Sequence, residues 1–163
     1  MTLEFEPREI LAVLDRHGVT YVLIGGYAAL VHGSTLPTTD IDITPRRDRE
    51  NLAKLVAALD ELDARVRVSP DVEALPLRSS PESLSTLTVL NLTTRFGDLD
   101  LVVRPAGFPD GYDRLSATAT VQIIAGVDVQ VATLDDVIAS KEAAGRDKDF
   151  MALPHLVALR NRQ

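Results

Sequence analysis

The stretch from Tyr21 to Thr44, YVLIGGYAALVHGSTLPTTDIDIT, constrains the fold more than any other part of the chain. Its pattern predicts an apolar strand at Tyr21 to Ile24, a turn at Gly25-Gly26, a short apolar helix, and a second strand that carries Asp40 and Asp42. Because successive side chains on a strand point to opposite faces, both carboxylates should project from one face, with the intervening isoleucines packed behind them.

The two aspartates of this stretch are placed to share a cation. Residues i and i+2 of a strand lie about 6.6 Å apart, so both side chains can reach one ion. Mg²⁺ prefers hard oxygen ligands and is usually held by one or two carboxylates together with substrate phosphates. The glycines let backbone approach a phosphate closely, and the helix after them offers free N–H groups. The stretch therefore predicts an anion site beside a metal site.

A third carboxylate decides whether Asp40 and Asp42 can act in catalysis. Two-metal sites for displacement at phosphorus hold their ions roughly 3.5–4 Å apart, and an aspartate on an adjacent strand is needed for the ion that activates the attacking hydroxyl. A predicted hairpin at 87–103 carries two candidates. Asp100, between two leucines, is the first candidate, and Asp98 after Gly97 is the second, because an aspartate at the end of a hairpin is more often a turn residue. The alternative for the first pair is that they are solubility charges on an edge strand.

Helices and strands are predicted along the rest of the chain. Helical spacing indicates helices at 7–16, 48–62, 108–115, 134–144 and 148–162. Alternation indicates strands at 65–68, 87–93, 99–103, 121–124 and 127–131. Residues 69–85 contain three prolines and are predicted to be the least regular part, with one helical turn at Ser80-Pro81-Glu82.

The composition excludes several classes of protein. At 163 residues, the range 1–163 is expected to be a single domain with a sizeable core. The absence of cysteine excludes disulfides, thiolate metal sites and a cysteine nucleophile. The net charge of −7 argues against a nonspecific nucleic-acid binder but permits a nucleic-acid substrate, and basic clusters remain, one of them at Arg65-Arg67. With no membrane-length apolar run and no apolar signal core, we expect a cytoplasmic protein without membrane contact.

These motifs resemble the nucleotidyltransferase superfamily with the polymerase-beta-like fold. That family's signature is a hydrophobic residue with Gly-Gly or Gly-Ser, then a spacer, then an Asp-hydrophobic-Asp strand. Here it is Ile24-Gly25-Gly26, thirteen intervening residues and Asp40-Ile41-Asp42. Within the superfamily the motifs are most similar to those of small bacterial minimal and AbiEii-type toxin nucleotidyltransferases. Those proteins show Gly-Gly-x-Ala, His-Gly and Thr-x-Asp-hydrophobic-Asp, matched here at 25–28, 32–33 and 38–42.

The resemblance implies an α/β (α+β) fold, a mixed twisted β-sheet flanked by helices, with the site at one edge of the sheet. It implies a metal-dependent enzyme in which Asp40, Asp42 and Asp100 hold two Mg²⁺ ions, or Mn²⁺ in their place, while an NTP gives its NMP to an acceptor hydroxyl. The likeness to the toxins implies a tRNA 3′ end as the acceptor and an antitoxin protein as a partner.

The same resemblance assigns further residues to the nucleotide. Gly25-Gly26, with a hydroxyl from Ser34 or Thr38, would hold the triphosphate. Lys141 would hold phosphate oxygens as a point charge, and Asp149 would orient the site or the ribose. The alternatives are that the two hydroxyls only form turn hydrogen bonds, and that 141–149 is a solvated charged turn between two helices.

Three other functions are compatible with the sequence. Relatives of the toxin type often have an additional helical domain, which we do not expect in a chain this short. Because less surface would then hold a large RNA, a small-molecule hydroxyl, as in antibiotic nucleotidyltransferases, is a second possible acceptor. A protein hydroxyl is the third. From a different class, a nucleotide-binding or partner-binding module that has lost turnover is a further alternative, and the intact Asp40, Asp42 and Asp100 argue against it.

Overall fold

Residues 4–163, which the computed structural model describes, form seven helices and one eight-stranded sheet. The helices are α1 (Pro7–Arg16), α2 (Gly25–Val31), α3 (Arg49–Glu61), α4 (Pro81–Ser85), α5 (Tyr112–Ser116), α6 (Leu134–Ala144) and α7 (Asp147–Arg162). The strands are β1 (Tyr21–Ile24), β2 (Asp40–Pro45), β3 (Arg65–Val66), β4 (Leu75–Pro76), β5 (Val89–Thr94), β6 (Gly97–Val102), β7 (Thr120–Ile124) and β8 (Val127–Val131). Within this range no helix combines the length and the apolar character that crossing a membrane requires.

The sheet is mixed, and its strands run in the order β4-β3-β5-β6-β2-β1-β8-β7. β2 pairs in parallel with β6, and β1 pairs in parallel with β8. The other neighbouring strands are antiparallel. The predicted mixed sheet flanked by helices is confirmed. The expectation of a site at one edge of the sheet is wrong, because β2 and β6 lie at its centre.

The alternating pattern of β2 and β6 separates the core from the opposite face of the sheet. The apolar residues of both strands are completely buried, at 0% exposure: Ile41, Ile43, Leu99 and Leu101. They belong to one hydrophobic core together with the buried apolar faces of α1 and α3. The aspartates between them point to the other face, as the period of two along a strand requires.

Side-chain caps determine where two of the helices begin. Asp48 Oδ2 accepts a hydrogen bond from the Asn51 N–H at 3.1 Å, so α3 begins at the next residue, Arg49, one residue later than predicted. Thr133 Oγ1 accepts from the Asp136 N–H at 3.1 Å, and α6 begins at Leu134 as predicted.

The structure differs most from the sequence expectations in residues 65–116. The predicted strand at 65–68 is only the two-residue β3, and β4 pairs with it inside the segment expected to be irregular. Pro76 lacks the N–H that a longer ladder needs. The expected turn at Ser80 is α4, with Ser80 as its N-cap. α5 begins at Tyr112, after Phe108, because turns at Pro105–Phe108 and Phe108–Gly111 precede it.

Candidate active site

The register between β2 and β6 brings three aspartates together. Asp42 lies opposite Asp100, and Asp40 lies opposite Asp98, in the parallel pair. Carboxylate oxygens of Asp40, Asp42 and Asp100 lie within 4.8 Å of one another, which is close enough to hold a metal ion. The structure therefore joins the predicted first pair to Asp100. β2 has a neighbour on each side, so these residues are not charges on an edge strand.

The glycine pair forms the first turn of α2, directly against Asp42. Ile24 lies opposite Asp42 in the antiparallel pair of β1 and β2, so the chain enters α2 beside this carboxylate. A Cβ on Gly25 would lie 2.3 Å from Asp42 Oδ2, and the φ angle of Gly25 is +72°. Only glycine fits both the close approach and this dihedral angle. A Cβ on Gly26 would lie 3.1 Å from Thr38 Oγ1.

The clustered carboxylates repel one another in a partly desolvated place. Burial raises the pKa of Asp42 to about 8, the charges of Asp40 and Asp100 add to this, and the positive charges of Lys141 and Lys148 oppose it. Burial also raises the pKa of Asp100 to about 6, against the opposing charge and hydrogen bond of Arg67 and with a further contribution from Asp40.

A divalent cation would relieve this repulsion. Three carboxylates from two adjacent strands are a donor set of hard oxygens, which suits Mg²⁺ or Mn²⁺. The residues present therefore fit the metal that the resemblance implies. The positive charges near the cluster belong to Arg67, directly after β3, to Lys141 on α6 and to Lys148 on α7.

Arg67 is part of the site, although the sequence reasoning noted it only as a member of a basic cluster. Its Nη2 lies 2.8 Å from Asp100 Oδ1, and its Nη1 lies 3.2 Å from Asp98 Oδ2. The contact with Asp100 spans 33 positions of the sequence. The available signal was the alternation of Arg65 and Arg67 along one short strand, which places both on a single face of the sheet.

The junction between α6 and α7 holds a completely buried carboxylate. The side chain of Asp149 is 0% exposed and accepts hydrogen bonds from Arg146 N at 3.2 Å and Arg146 Nε at 2.7 Å. Lys141 Nζ lies 3.7 Å from Asp149 Oδ1. Although burial alone would raise it, the hydrogen bond from the Arg146 side chain keeps the pKa of Asp149 below its ordinary value. Asp149 thus lies in an ion-pair cluster with Arg146 and Lys141, while residues 145–148 of the turn are exposed, as in the solvated turn considered as an alternative.

The two predicted hydroxyls lie in different surroundings. Thr38 packs against Gly26, and its Oγ1 donates to Asp40, at 3.3 Å from the backbone oxygen and 3.4 Å from Oδ1. Ser34 is buried, and its Oγ accepts a hydrogen bond from the Leu36 N–H at 3.2 Å, as a loop-stabilising serine does. The structure therefore places Thr38 in contact with the carboxylate of Asp40. It shows no such contact for Ser34.

Comparison with solved structures identifies the fold of this chain. No protein-family profile matches the chain, and no curated protein matches it significantly. Among solved structures it is similar to the lincosamide antibiotic adenylyltransferase LnuA with lincomycin bound, at a TM-score of 0.62 and 14% identity, over 97% of this chain and 99% of that one. It is also similar to the antibiotic-resistance factor ANT(2'')-Ia, at a TM-score of 0.57 and 17% identity, over 93% and 80% of the two chains.

A fungal protein extends this likeness beyond the resistance factors. The chain matches an antigenic nucleotidyltransferase-like protein from Paracoccidioides brasiliensis at a TM-score of 0.54 and 20% identity, over 93% of this chain and 72% of that one. Similarities at these levels of identity establish the fold alone. The chain has the fold of the nucleotidyltransferases, and its three aspartates stand on the two central strands of that fold.

Proposed function

We propose that this protein is a metal-dependent nucleotidyltransferase, which moves NMP from an NTP to an acceptor hydroxyl. The observation that carries the proposal is the convergence of Asp40, Asp42 and Asp100 within 4.8 Å, on adjacent strands and beside the glycine pair. A nucleotide-binding module without turnover would need fewer of these carboxylates, because holding the triphosphate takes only one ion and its one or two ligands.

Asp40, Asp42 and Asp100 would hold divalent ions, which, when bound, lower the pKa of the acceptor hydroxyl and neutralise charge on the triphosphate. In the transfer, the acceptor hydroxyl gives its proton to solvent, and its oxygen bonds to the α-phosphorus. The bond from that phosphorus to the oxygen bridging to the β-phosphate breaks, and pyrophosphate leaves. The protein contributes mainly position and charge, and no covalent intermediate with the enzyme is required.

The nucleotide should lie on the side of the cluster that carries the glycines and α6. Gly25 and Gly26 present backbone without side chains next to Asp42 and Thr38, so phosphate oxygens can approach closely there. Lys141, held by Asp149, supplies a positive charge that already acts on Asp42. We propose that Lys141 contacts the triphosphate and that Asp149 keeps Lys141 in place.

A small-molecule hydroxyl is the acceptor that the comparisons support. LnuA is an adenylyltransferase of lincosamide antibiotics, and the present chain covers 99% of it. A fold of this extent is therefore enough to bind a small acceptor beside the nucleotide. The tRNA 3′ end, with an antitoxin as partner, is the second candidate. It is supported by the resemblance of 24–42 and 141–149 to the AbiEii-type toxins.

The test is transfer of label from each of the four α-labelled NTPs in the presence of Mg²⁺ or Mn²⁺. Total tRNA, lincosamide and aminoglycoside antibiotics, and the protein itself serve as acceptors in separate reactions. We expect label on one acceptor class, and we expect its loss in Asp42→Asn and Asp100→Asn. Asp128→Asn is the control, because it removes an exposed carboxylate from β8, two strands away from β2 in the sheet, and it should retain transfer within about threefold.

Each outcome of this assay has a definite meaning. Label on RNA selects the second candidate, and label on the protein selects self-modification. Binding of NTP without transfer to any acceptor supports the silent module and contradicts the proposal. Persistent transfer by Asp42→Asn would show that the metal assignment is wrong.

A further inference from the structure

Arg67, directly after β3, lies at the end of a row of residues that crosses four strands of the sheet. Ile24 lies opposite Asp42, Asp42 opposite Asp100, and Asp100 opposite Asn91. The Arg67 N–H donates to the Asn91 backbone oxygen at 2.9 Å, which continues the pairing of β3 with β5. Arg67 therefore stands two strands away from Asp100 on the same face of the sheet, and its side chain extends over the small Asn91.

The guanidinium of Arg67 is fixed by three acceptors. Its Nη1 donates to the Leu92 backbone oxygen at 2.7 Å and also lies 3.2 Å from Asp98. Its Nη2 donates to Asp100 Oδ1 at 2.8 Å. The side chain is only 27% exposed. A planar fork held at both ends fixes the orientation of the carboxylate it binds, which a lysine ammonium in the same place does not do.

We propose that Arg67 is a positioning residue for the carboxylate cluster, and that its charge competes with divalent cations for Asp100. This inference rests on the proposed function. The fork keeps the Asp100 carboxylate directed at Asp40 and Asp42, which favours turnover. The positive charge offsets the negative charge of Asp100, which weakens metal binding. Arg67 thus holds the cluster together and lowers its affinity for the divalent ion.

Arg67 should favour turnover but weaken metal binding. This opposition distinguishes a positioning role from a purely structural one. An arginine that only stabilised the fold would, on removal, weaken the binding of metal and slow turnover together. Removing Arg67 should instead strengthen metal binding and slow turnover. A unit charge about 6 Å from a doubly charged ion changes its affinity by roughly tenfold even at the dielectric constant of water.

The experiment compares Arg67→Met, Arg67→Lys and the control Arg65→Met by direct titration with Mn²⁺ and by turnover. Arg65 is an exposed arginine on β3, two residues before Arg67, so its removal takes away an equal charge without the contact to Asp100. Mn²⁺ binding is measured by isothermal titration calorimetry without NTP, which makes this readout independent of catalysis. Thermal unfolding in EDTA checks that each variant is folded.

We expect Arg67→Met to bind Mn²⁺ about tenfold more tightly and to lose turnover by about 10- to 100-fold. Arg67→Lys keeps the charge and loses the fork, so Mn²⁺ affinity should stay within about twofold of wild type while turnover falls at least about tenfold. Arg65→Met should match wild type in both. Unchanged or weaker Mn²⁺ binding by Arg67→Met overturns the proposal, and so does wild-type turnover in either Arg67 variant.

Failure of this inference can be told apart from failure of the proposed function. If wild type binds Mn²⁺ but transfers no NMP, the proposed function fails, and the Mn²⁺ titrations alone decide the role of Arg67. If wild type binds no Mn²⁺, both fail. If Arg67→Met does not fold, Arg67→Lys decides: wild-type Mn²⁺ affinity with lost turnover supports the proposal, and wild-type turnover overturns it.

Discussion

Replacing Asp42 with asparagine should stabilise the metal-free protein at alkaline pH. Burial, together with the charges of Asp40 and Asp100, raises the pKa of Asp42 from 3.8 to about 8. Between these two values the folded protein keeps a proton that the unfolded chain has released. The contribution of Asp42 to the free energy of unfolding is therefore most favourable below about pH 4 and falls as the pH rises through this interval. Asparagine cannot ionise, so the variant should not show this loss.

The size of this stabilisation follows from the shift in the pKa of Asp42. A rise from 3.8 to about 8 corresponds to roughly 6 kcal/mol if Asp42 titrates alone. This is an upper bound, because the three carboxylates share their protons and asparagine leaves a polar amide in the same place. We expect a stabilisation of about 3 kcal/mol at pH 8, which shifts the Tm by about 6–12 °C for a chain of this length, and a negligible difference at pH 4.

The assay is thermal unfolding of wild type and Asp42→Asn in EDTA from pH 4 to pH 8. Asp128→Asn, which removes an exposed carboxylate on β8, is the control and should give no difference that depends on pH. Adding Mn²⁺ at pH 8 should reduce the difference in Tm between Asp42→Asn and wild type, because the ion binds and stabilises only the protein with an intact cluster. A variant less stable than wild type at pH 8, or a difference that does not grow with pH, refutes the reasoning.

Three further changes test the surroundings of the cluster. Gly25→Ala should abolish Mn²⁺ binding, measured by calorimetry, because the new Cβ would lie 2.3 Å from Asp42 Oδ2; Gly126→Ala, with a similar positive φ but nothing within 4 Å, should bind normally. Asp149→Asn should lower the free energy of unfolding at pH 7, measured in urea, by about 2 kcal/mol, since Arg146 and Lys141 lose their buried partner. Because the pKa of Asp149 is depressed, this difference should shrink as the pH falls, and a difference that grows in acid would contradict the account. Ile41→Ala should cost about 2–5 kcal/mol in the same urea assay, and a loss below about 1 kcal/mol would exclude the proposed core face.

Local patterns in the sequence were enough to predict much of the fold and the candidate cluster. The alternation of aspartate and isoleucine in β2 determines which side chains share a face, whatever the neighbouring strands are. The leucines on either side of Asp100 indicate that it lies inside a strand and not at a turn. The structure places it opposite Asp42. Thr133 predicted the start of α6 because a capping hydroxyl acts within one helical turn.

Features that depend on strand order could not be predicted in this way. The central position of the site follows from the parallel pairing of β2 with β6, which joins segments distant in sequence. The contact of Arg67 with Asp100 needs the registers of β3, β5 and β6 at once. The burial of Asp149 could not be predicted either. Aspartate is almost never fully buried unless it is paired, and its partners include Lys141 on the preceding helix, a contact that the sequence alone does not show.

The central claim is that three carboxylates from two central strands share divalent cations. Its most direct test is an anomalous difference map at the manganese absorption edge, from crystals of the protein soaked with Mn²⁺ and a non-hydrolysable NTP analogue. We expect manganese coordinated by Asp40, Asp42 and Asp100 with the triphosphate beside Gly25, and no such peak in crystals of Asp42→Asn. Manganese bound elsewhere, or bound without Asp100, would contradict the account.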